Sequence, residues 1–318
     1  MNTYLKIVIT LVLGIGASIL FYKVIQKGFS GFHRHKVARV QEIFKDTAFN
    51  DVIYVGSSRT HTTIYPSVVD SITGMTSYNA GVEGGNLFEF KMTLEGYLAS
   101  HPAPGLLVLT IDPKSFDLSR KIFFPIQYFD VVDNPAVRES FRELKDYKRF
   151  FIKHLPFLRV IYFDEITKIQ SVKGLFGDNE FVQLNLFQDK GFLSNGYKCA
   201  EDSEYYKSES ISITDEGRVK LQEMIGICKT KGIDIMLVFA PEFDFKYQSI
   251  FSNFNEFIGV VDSFAKNNNI PFYRDDSLGM RSNRCYFANY GHVNTYGAIE
   301  YSKILGKRVL AWKNQNNK

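Results

Sequence analysis

The chain has 318 residues, of which 45% are hydrophobic and 15% are aromatic. This composition excludes an intrinsically disordered protein and predicts one large folded domain or two small ones. The formal net charge is only +4, and the basic residues are spread along the chain rather than gathered in one block. We therefore expect no nucleic-acid partner.

An apolar stretch, IVITLVLGIGASILFY, occupies residues 7–22 without a single charge. Lys6 and Lys23 bracket it, and with its flanks it reaches the roughly 20 residues that cross a bilayer as a helix. The alternative is a cleaved signal peptide, which needs small residues just after the apolar run, where this chain has LFYK. We therefore predict a transmembrane anchor at residues 1–28, so that the chain meets the membrane through a single N-terminal helix.

The charges around this anchor leave its orientation open. Only Lys6 and the amino terminus precede the apolar run, whereas five basic side chains come closely after it, namely Lys23, Lys27, Arg34, Lys36 and Arg39. By the positive-inside tendency alone, the body of the protein would stay in the cytoplasm, although charge bias orients imperfectly when a large domain comes after the anchor.

Beyond a stalk at residues 29–50, which includes a helical KVARVQEIF pattern, short apolar runs alternate with helical patterns up to residue 318. The predicted strands are residues 52–55, 77–79, 106–111, 235–240 and 271–274. The clearest helix lies before the fourth strand, with Thr214 or Asp215 as its cap and Gly232 as its stop. Wholly apolar strands separated by helices predict a parallel sheet covered on both faces.

The alternation lapses at about residues 113–210, a stretch crowded with aromatic side chains. It is too long for a simple loop, and we interpret it as a largely helical insertion in the 51–318 domain. Aromatic residues at this density are typical of ordinary core, and a substrate groove is the alternative. An insertion after the third strand emerges at the carboxyl edge of the sheet, where ligands bind in open α/β folds.

Cysteine usage and common binding motifs indicate neither a metal nor a cofactor. Cys199, Cys228 and Cys285 are odd in number and far apart, and we expect small buried hydrophobic residues rather than a disulfide or a zinc site. His33 and His35 form no recognised metal set, and the chain has no phosphate-binding Gly-x-x-x-x-Gly-Lys-Ser/Thr loop.

Three short blocks carry the strongest functional signal. YVGSSRT ends the first strand, YNAGVEGGN comes after the second, and NYGHVNTYGA precedes the last helix. Alone, Ser57 and Ser58 fit a plain helix N-cap, and His292 fits a solvated loop residue. In this order, the blocks resemble those of the SGNH, or GDSL-like, hydrolase superfamily.

This resemblance implies a flavodoxin-like three-layer α/β/α sandwich with a parallel sheet in the order 2-1-3-4-5. It implies that Ser58 is the nucleophile, that His292 is the general base, and that the N–H groups of Ser58 and Gly84 face the oxyanion. The family's Gly-x-Asn block has no counterpart in TIDPKSF, so we take Asn86 as a substitute oxyanion donor.

Two further positions depart from the family pattern. Ser57 stands where the first block has aspartate, and Asn289 stands three residues before His292, where the last block has aspartate. An amide can orient the imidazole but supplies no charge. Asp275 or Asp276 is the alternative partner for the histidine. His61, three residues after the serine, is expected to pack structurally.

The GSSR and HVN..GA patterns resemble the membrane-anchored branch whose relatives acylate or deacylate cell-envelope polysaccharides. The resemblance implies a serine esterase or O-acyltransferase in the bacterial cell envelope, with its domain outside the cytoplasm, a polysaccharide substrate and a membrane acyltransferase as partner. The alternative is a non-catalytic envelope protein that binds a glycan or a partner enzyme. Asn289 and the missing Gly-x-Asn favour that alternative, whereas the three retained residues favour an enzyme.

Overall fold

The computed structural model describes residues 2–31, 36–124, 127–128, 131–143, 172–173, 175–176, 188–201 and 208–316. By their contacts, the residues divide into two compact units. One consists of Met1–Asp46 and Phe124–Gln183, and the other of Thr47–Phe123 and Leu184–Lys318. His33, His35 and about half of the predicted insertion lie outside the described residues.

Helices and strands are numbered in chain order. The helices are α1 (Thr3–Gly31), α2 (Lys36–Lys45), α3 (Ser58–His61), α4 (Pro66–Thr73), α5 (Leu87–Ser100), α6 (Pro135–Glu143), α7 (Asp215–Lys231), α8 (Phe254–Asn268) and α9 (Thr295–Asn316). The strands are β1 (Val52–Val55), β2 (Ser77–Asn79), β3 (Leu106–Thr110), β4 (Gln188–Asp189), β5 (Phe192–Leu193), β6 (Asp234–Phe239), β7 (Phe272–Arg274), β8 (Phe287–Asn289) and β9 (His292–Val293).

The central sheet has the strand order β2-β1-β3-β6-β7 and is parallel throughout. Its members correspond to the five predicted strands, and their order is the predicted 2-1-3-4-5, so the fold prediction is confirmed. The strand order reverses between β1 and β3. In folds of this kind, ligands bind at the carboxyl ends of the strands beside that switch point.

Both faces of the sheet are covered, as the wholly apolar strands require. Tyr54 and Val108 belong to a buried cluster with Leu305 of α9, and α4 packs against α9 on this face. Because side chains alternate along a strand, Ile53 and Leu107 point to the opposite face, where they are equally buried. There α5 contacts β1 and packs against α7. The result is a three-layer arrangement.

Local chemistry explains the helix ends. The Thr214 hydroxyl accepts a hydrogen bond from Gly217 N at 3.0 Å and caps α7, and Gly232 ends the helix in the left-handed conformation. Both residues act as predicted. Helix α9 extends to Asn316, and its later turns are held in place because Val309 is buried in the core and Trp312 packs against the same cluster.

The other unit contains α1, α2 and α6. Helix α1 includes a segment, Thr3–Ile25, that is long and apolar enough to cross a membrane, as a signal sequence also would be. Tyr128 contacts Phe44 of α2 and Phe141 of α6 edge-on, with ring centroids 6.0 and 6.4 Å apart. The helical KVARVQEIF segment therefore packs with an element of the predicted insertion.

Candidate active site

The two serines in the turn after β1 have different roles. Ser57 caps α3, because its hydroxyl oxygen accepts a hydrogen bond from Arg59 N at 3.2 Å. Gly56 allows the turn to close, since a Cβ atom there would lie 2.0 Å from Thr60 Oγ1. Ser58 is thereby placed as the first residue of α3, at the carboxyl edge of the sheet. Its N–H belongs to the first helical turn, where amides have no partner within the helix.

Ser58 and His292 meet although 234 residues separate them. Ser58 Oγ lies 2.9 Å from His292 Nε2, which is hydrogen-bond distance. His292 is the first residue of β9, in a short antiparallel hairpin with β8 that ends just before α9. The distance suits proton transfer from a serine hydroxyl to an imidazole base.

Asn289 fixes which imidazole nitrogen carries the proton. Its Oδ1 accepts hydrogen bonds from the backbone N–H groups of Gly291, at 3.1 Å, and His292, at 3.0 Å. Two N–H donors identify this atom as the amide oxygen, because an NH₂ group cannot accept. The same oxygen lies 3.0 Å from His292 Nδ1, which must therefore be the protonated nitrogen. The lone pair of Nε2 is left facing Ser58.

The two aspartates considered as alternative partners of His292 are engaged elsewhere. Asp275 accepts hydrogen bonds from Tyr301 Oη, at 2.8 Å, and Arg308 Nη1, at 2.6 Å. Asp276 forms a bidentate salt bridge with Arg274, with N–O distances of 2.9 and 2.6 Å. The structure therefore brings Asn289, and neither aspartate, to the imidazole.

Of the predicted oxyanion donors, Gly84 is compatible with the structure and Asn86 is not. Gly84 has φ +66°, and a Cβ atom there would lie 2.4 Å from the Phe123 ring, so only glycine fits. The prediction for Asn86 is wrong. Its Oδ1 caps α5 by accepting from Phe88 N and Glu89 N, while its Nδ2 donates to the carbonyl oxygens of Asp117 and Arg120. These structural hydrogen bonds engage both the oxygen and the nitrogen of the side-chain amide.

Asp112, at the end of β3, is a site residue that the sequence analysis missed. Its buried carboxylate accepts hydrogen bonds from the Ser57 hydroxyl and from Lys114 N. A serine in the first block and an aspartate after β3 thus form one hydrogen-bonded pair. That pair anchors the turn that presents Ser58. The presence of Ser57 where the family's first block has aspartate could have indicated this pair, since a buried serine hydroxyl needs an acceptor.

The electrostatic setting keeps the histidine neutral. Burial and, second, the charge of Arg59 lower the pKa of His292 to about 4, so the imidazole is unprotonated at neutral pH. A neutral imidazole with a free Nε2 is the form that can act as a base. His61 is buried in the short helix α3, three residues from Ser58.

The cysteine prediction is wrong for two of the three residues. Cys199 and Cys285 form a disulfide, whereas Cys228 is a buried free thiol, as expected. The disulfide joins the segment after β5 to the segment before the His292 hairpin. Asn294 reinforces this link, since its Nδ2 donates to the carbonyl oxygens of Lys198 and Cys285, at 3.0 and 2.9 Å.

The HVN..GA pattern has a local explanation. Asn294 Oδ1 accepts from Gly297 N at 3.0 Å and so caps the first turn of α9. A Cβ atom at position 297 would lie 2.0 Å from Tyr286 O, so the helix approaches the hairpin segment closely only with glycine there. Within the described part of the chain, no group of three His, Cys, Asp or Glu side chains is arranged to hold a metal ion.

No family model matches the sequence, and no curated protein matches it. Solved structures do match. A lipase/acylhydrolase from Enterococcus faecalis is 12% identical with a TM-score of 0.41, covering 83% of this chain and 96% of that one. A GDSL-like lipase from Bacteroides thetaiotaomicron VPI-5482 is 11% identical with a TM-score of 0.39, covering 92% and 99%. The acetyl xylan esterase AlAXEase is 12% identical with a TM-score of 0.40, covering 82% and 98%.

The chain itself supplies the sheet order, the Gly-Ser-Ser turn after β1, the constrained glycine after β2 and the histidine before the last helix. This protein therefore has the flavodoxin-like parallel α/β fold, with the strand order 2-1-3-4-5, that the resemblance of its sequence blocks implies.

Proposed function

We propose that this protein is a membrane-anchored serine esterase or O-acyltransferase that acts on acyl esters of a cell-envelope carbohydrate. The observation that carries the proposal is the 2.9 Å contact between Ser58 Oγ and His292 Nε2, with the tautomer fixed by Asn289. A serine hydroxyl is a poor nucleophile until a base removes its proton, and this geometry supplies the base.

The reaction can be derived from these positions. Ser58 Oγ attacks the ester carbonyl carbon as its proton passes to His292 Nε2, and the carbonyl oxygen becomes the oxyanion. The backbone N–H groups of Ser58 and Gly84 are the proposed donors to that oxyanion. When the intermediate collapses, the leaving alcohol takes the proton from Nε2 and an acyl-serine remains. Water or an acceptor hydroxyl then attacks with the same histidine as base, which gives hydrolysis or transfer.

The disulfide is evidence about the side of the membrane on which the folded domain lies. Such bonds persist in oxidising compartments and are rare in the cytosol, so Cys199–Cys285 favours an extracytoplasmic domain. This supports the envelope location against the excess of lysine and arginine after the apolar run. For acyl transfer, a membrane acyltransferase is the proposed partner that supplies the acyl group.

A carbohydrate substrate is supported by two exposed aromatic rings, one of which comes shortly after His292 in the chain. Tyr197 and Tyr296 are 43% and 52% exposed, and their ring centroids lie 4.9 Å apart. Tyr296 is in the first turn of α9, four residues after His292. Such rings combine an apolar face with a polar hydroxyl, which suits the face and edge of a sugar ring.

Two observations favour a second candidate function, a non-catalytic envelope protein that binds a glycan or a partner enzyme. Asn289 gives the imidazole no negative charge, and Asn86 is unavailable to the oxyanion. Both features lower the catalytic power expected of the site.

A serine-directed fluorophosphonate probe separates the two functions. We expect full-length protein in detergent to be labelled at Ser58 and the Ser58→Ala variant to remain unlabelled. Ser71→Ala, which removes an exposed hydroxyl from α4, is the matched control and should label like wild type. Labelling that is absent, or that persists in Ser58→Ala, would favour the binding role. Adding an acceptor alcohol to an ester assay then distinguishes transfer from hydrolysis by its product.

A further inference from the structure

The Phe123 ring lies against the main chain of Gly84, whose N–H is one of the proposed oxyanion donors. The three atoms nearest to a Cβ placed on Gly84 all belong to this ring, at 2.4, 2.7 and 2.9 Å. An ideal Cβ lies about 2.5 Å from the backbone nitrogen of its own residue, so the nearest ring atom is within about 5 Å of Gly84 N. The ring is half-buried, which leaves part of it open to a ligand.

The loop that carries Gly84 packs against the serine turn. Val82 N donates to Gly56 O at 2.7 Å. The acceptor lies two residues before Ser58, and the donor lies two residues before Gly84. At Gly81, a Cβ atom would lie only 2.7 and 3.0 Å from main-chain atoms of the turn and of α3. The hydrogen bond and this close approach hold the Gly84 loop against the turn that presents the proposed nucleophile.

The start of α5 fixes the chain segment that carries the ring. Four hydrogen bonds join the two: Leu87 N to Ser115 O at 2.8 Å, Asn86 Nδ2 to Asp117 O at 3.1 Å and to Arg120 O at 2.8 Å, and Phe123 N to Glu89 Oε2 at 3.1 Å. Glu89 is fully buried, so breaking its bond to Phe123 N would be costly. The Arg120 guanidinium also stacks on the ring, with its central carbon 4.7 Å from the centroid.

The reaction derived above gives each part of the ester a different neighbour. The leaving oxygen must lie at His292 Nε2 to take up the proton, whereas the carbonyl oxygen lies at the N–H of Gly84. A ring on the α-carbon of Gly84 is therefore next to the carbonyl group, from which the acyl chain extends. Phenylalanine has no polar group, so its ring suits an alkyl chain better than the hydroxyl groups of a sugar.

We propose that Phe123 forms one wall of the acyl pocket and is a specificity-determining residue that restricts the reaction to esters of short acyl groups such as acetyl. The inference rests on the proposed esterase or O-acyltransferase function and names the class of acyl group that it uses. A longer chain would have to displace the ring, which is held at its own N–H by Glu89 and stacked by Arg120. A single methylene in an apolar pocket changes relative rates by about 10-fold or more, so one ring can set this limit.

The test compares full-length wild type with Phe123→Ala and Phe123→Leu, all in detergent. Phe264→Ala is the matched control, because it removes another half-buried phenylalanine ring, from α8. The first readout is kcat/KM for para-nitrophenyl acetate, butyrate and hexanoate, in which only the acyl group changes. The second readout is kcat/KM for the acetate esters of phenol and naphthol, in which only the alcohol changes.

Wild type should prefer the acetate ester to the hexanoate ester. In Phe123→Ala we expect the hexanoate-to-acetate ratio of kcat/KM to rise about 10-fold or more, because the chain gains the space of the ring. Phe123→Leu should give a smaller rise, Phe264→Ala should keep the wild-type ratio, and no variant should change the preference between alcohols. An unchanged ratio in both Phe123 variants, or a change confined to the alcohol preference, would overturn the proposal. So would equal rates of wild type with acetate and hexanoate.

Failure of this inference is distinguishable from failure of the proposed function. If wild type hydrolyses no ester, the proposed function fails, and calorimetric affinities for acetamide and hexanamide, which are unreactive carbonyl ligands, decide the inference. A hexanamide-to-acetamide affinity ratio about 10-fold higher in Phe123→Ala than in wild type would support it, and an unchanged ratio would overturn it. If esters are hydrolysed and the acyl preference does not move, the function stands and the inference fails. If both Phe123 variants fail to fold, the ring serves fold stability and the proposal is overturned.

Discussion

Asn289 Oδ1 lies 3.0 Å from Nδ1 of His292 and accepts two further hydrogen bonds from the main chain of the same hairpin turn. All three partners are donors, so an aspartate carboxylate would satisfy each of them without rearrangement. The amide fixes the orientation and tautomer of the imidazole, whereas the site lacks the negative charge that stabilises imidazolium.

The first prediction is drawn from this arrangement. Asn289→Asp should raise kcat/KM for a short-chain aryl ester by about 10-fold or more, because the opposite change in a serine protease triad costs about 10⁴-fold. The measurement uses full-length protein in detergent, with Ser58→Ala as the inactive reference. A lower rate in Asn289→Asp would show that the amide is itself required. If the wild-type and Asn289→Asp rates both equal that of Ser58→Ala while the proteins are folded, the binding role is favoured.

The second prediction concerns the acid limit of the wild-type reaction. Burial and Arg59 lower the pKa of His292 to about 4, so the base is lost only as the pH falls through about 4, well below the ordinary histidine value. The acid limb of kcat/KM should therefore have its midpoint near pH 4. In Asn289→Asp the midpoint should move to higher pH, since a carboxylate favours the protonated imidazole.

Circular dichroism at each pH is the control, because loss of folding would imitate an acid limb. An acid midpoint near the ordinary histidine value of about 6.5 in folded wild-type protein would mean that the imidazole is neither buried nor influenced by Arg59 during turnover.

Local patterns were enough to predict much of the fold. The five strands of the sheet and the ends of α7 depend on apolar runs, a threonine cap and a terminating glycine, all readable within a few residues. The end of α9 is harder to predict from local patterns, because its last turns are held by packing of Val309 and Trp312 onto a core assembled from distant strands.

Partnerships between distant residues were harder to predict. Spacing does not reveal that Cys199 and Cys285 come together, since 86 residues separate them. The cap that Asn86 forms on α5 is local, but its Nδ2 is occupied by the carbonyl oxygens of Asp117 and Arg120, which lie more than 30 residues away in the sequence. The buried Arg59 was overlooked for the same reason, because its partners lie after β6.

The third prediction addresses the disulfide. Cys199→Ser should lower the free energy of unfolding by about 2–4 kcal/mol, because the bond closes a long loop and restricts the unfolded chain. Cys285→Ser should have a matching effect, and the double variant should be no worse than either single one. The measurement is urea denaturation of full-length protein in detergent.

Reductant provides the control for that experiment. Dithiothreitol should destabilise wild-type protein to the level of Cys199→Ser and leave the variant unchanged. Equal stability of oxidised wild type and both variants would show that the bond does not form in the native protein.

The last prediction concerns which side of the membrane the domain occupies, where two features conflict. Lys23 and Lys27 at the end of the apolar run favour cytoplasmic retention, whereas the Cys199–Cys285 disulfide favours an oxidising compartment. We expect the disulfide to indicate the true location. In a Gram-negative bacterial host, alkaline phosphatase fused after Asn50 should therefore be active, and β-galactosidase fused at the same residue should be inactive.

A matched variant shows whether the flanking charges weaken export. Lys23→Gln combined with Lys27→Gln should leave the alkaline phosphatase fusion at least as active as the unmodified one, because removing positive charge after the anchor favours translocation of the C-terminal domain. In intact cells, the native chain should also show no free thiol at Cys285 to a membrane-impermeant maleimide until a reductant is added. Active β-galactosidase with inactive alkaline phosphatase would place the domain in the cytoplasm and make an envelope carbohydrate untenable as the substrate.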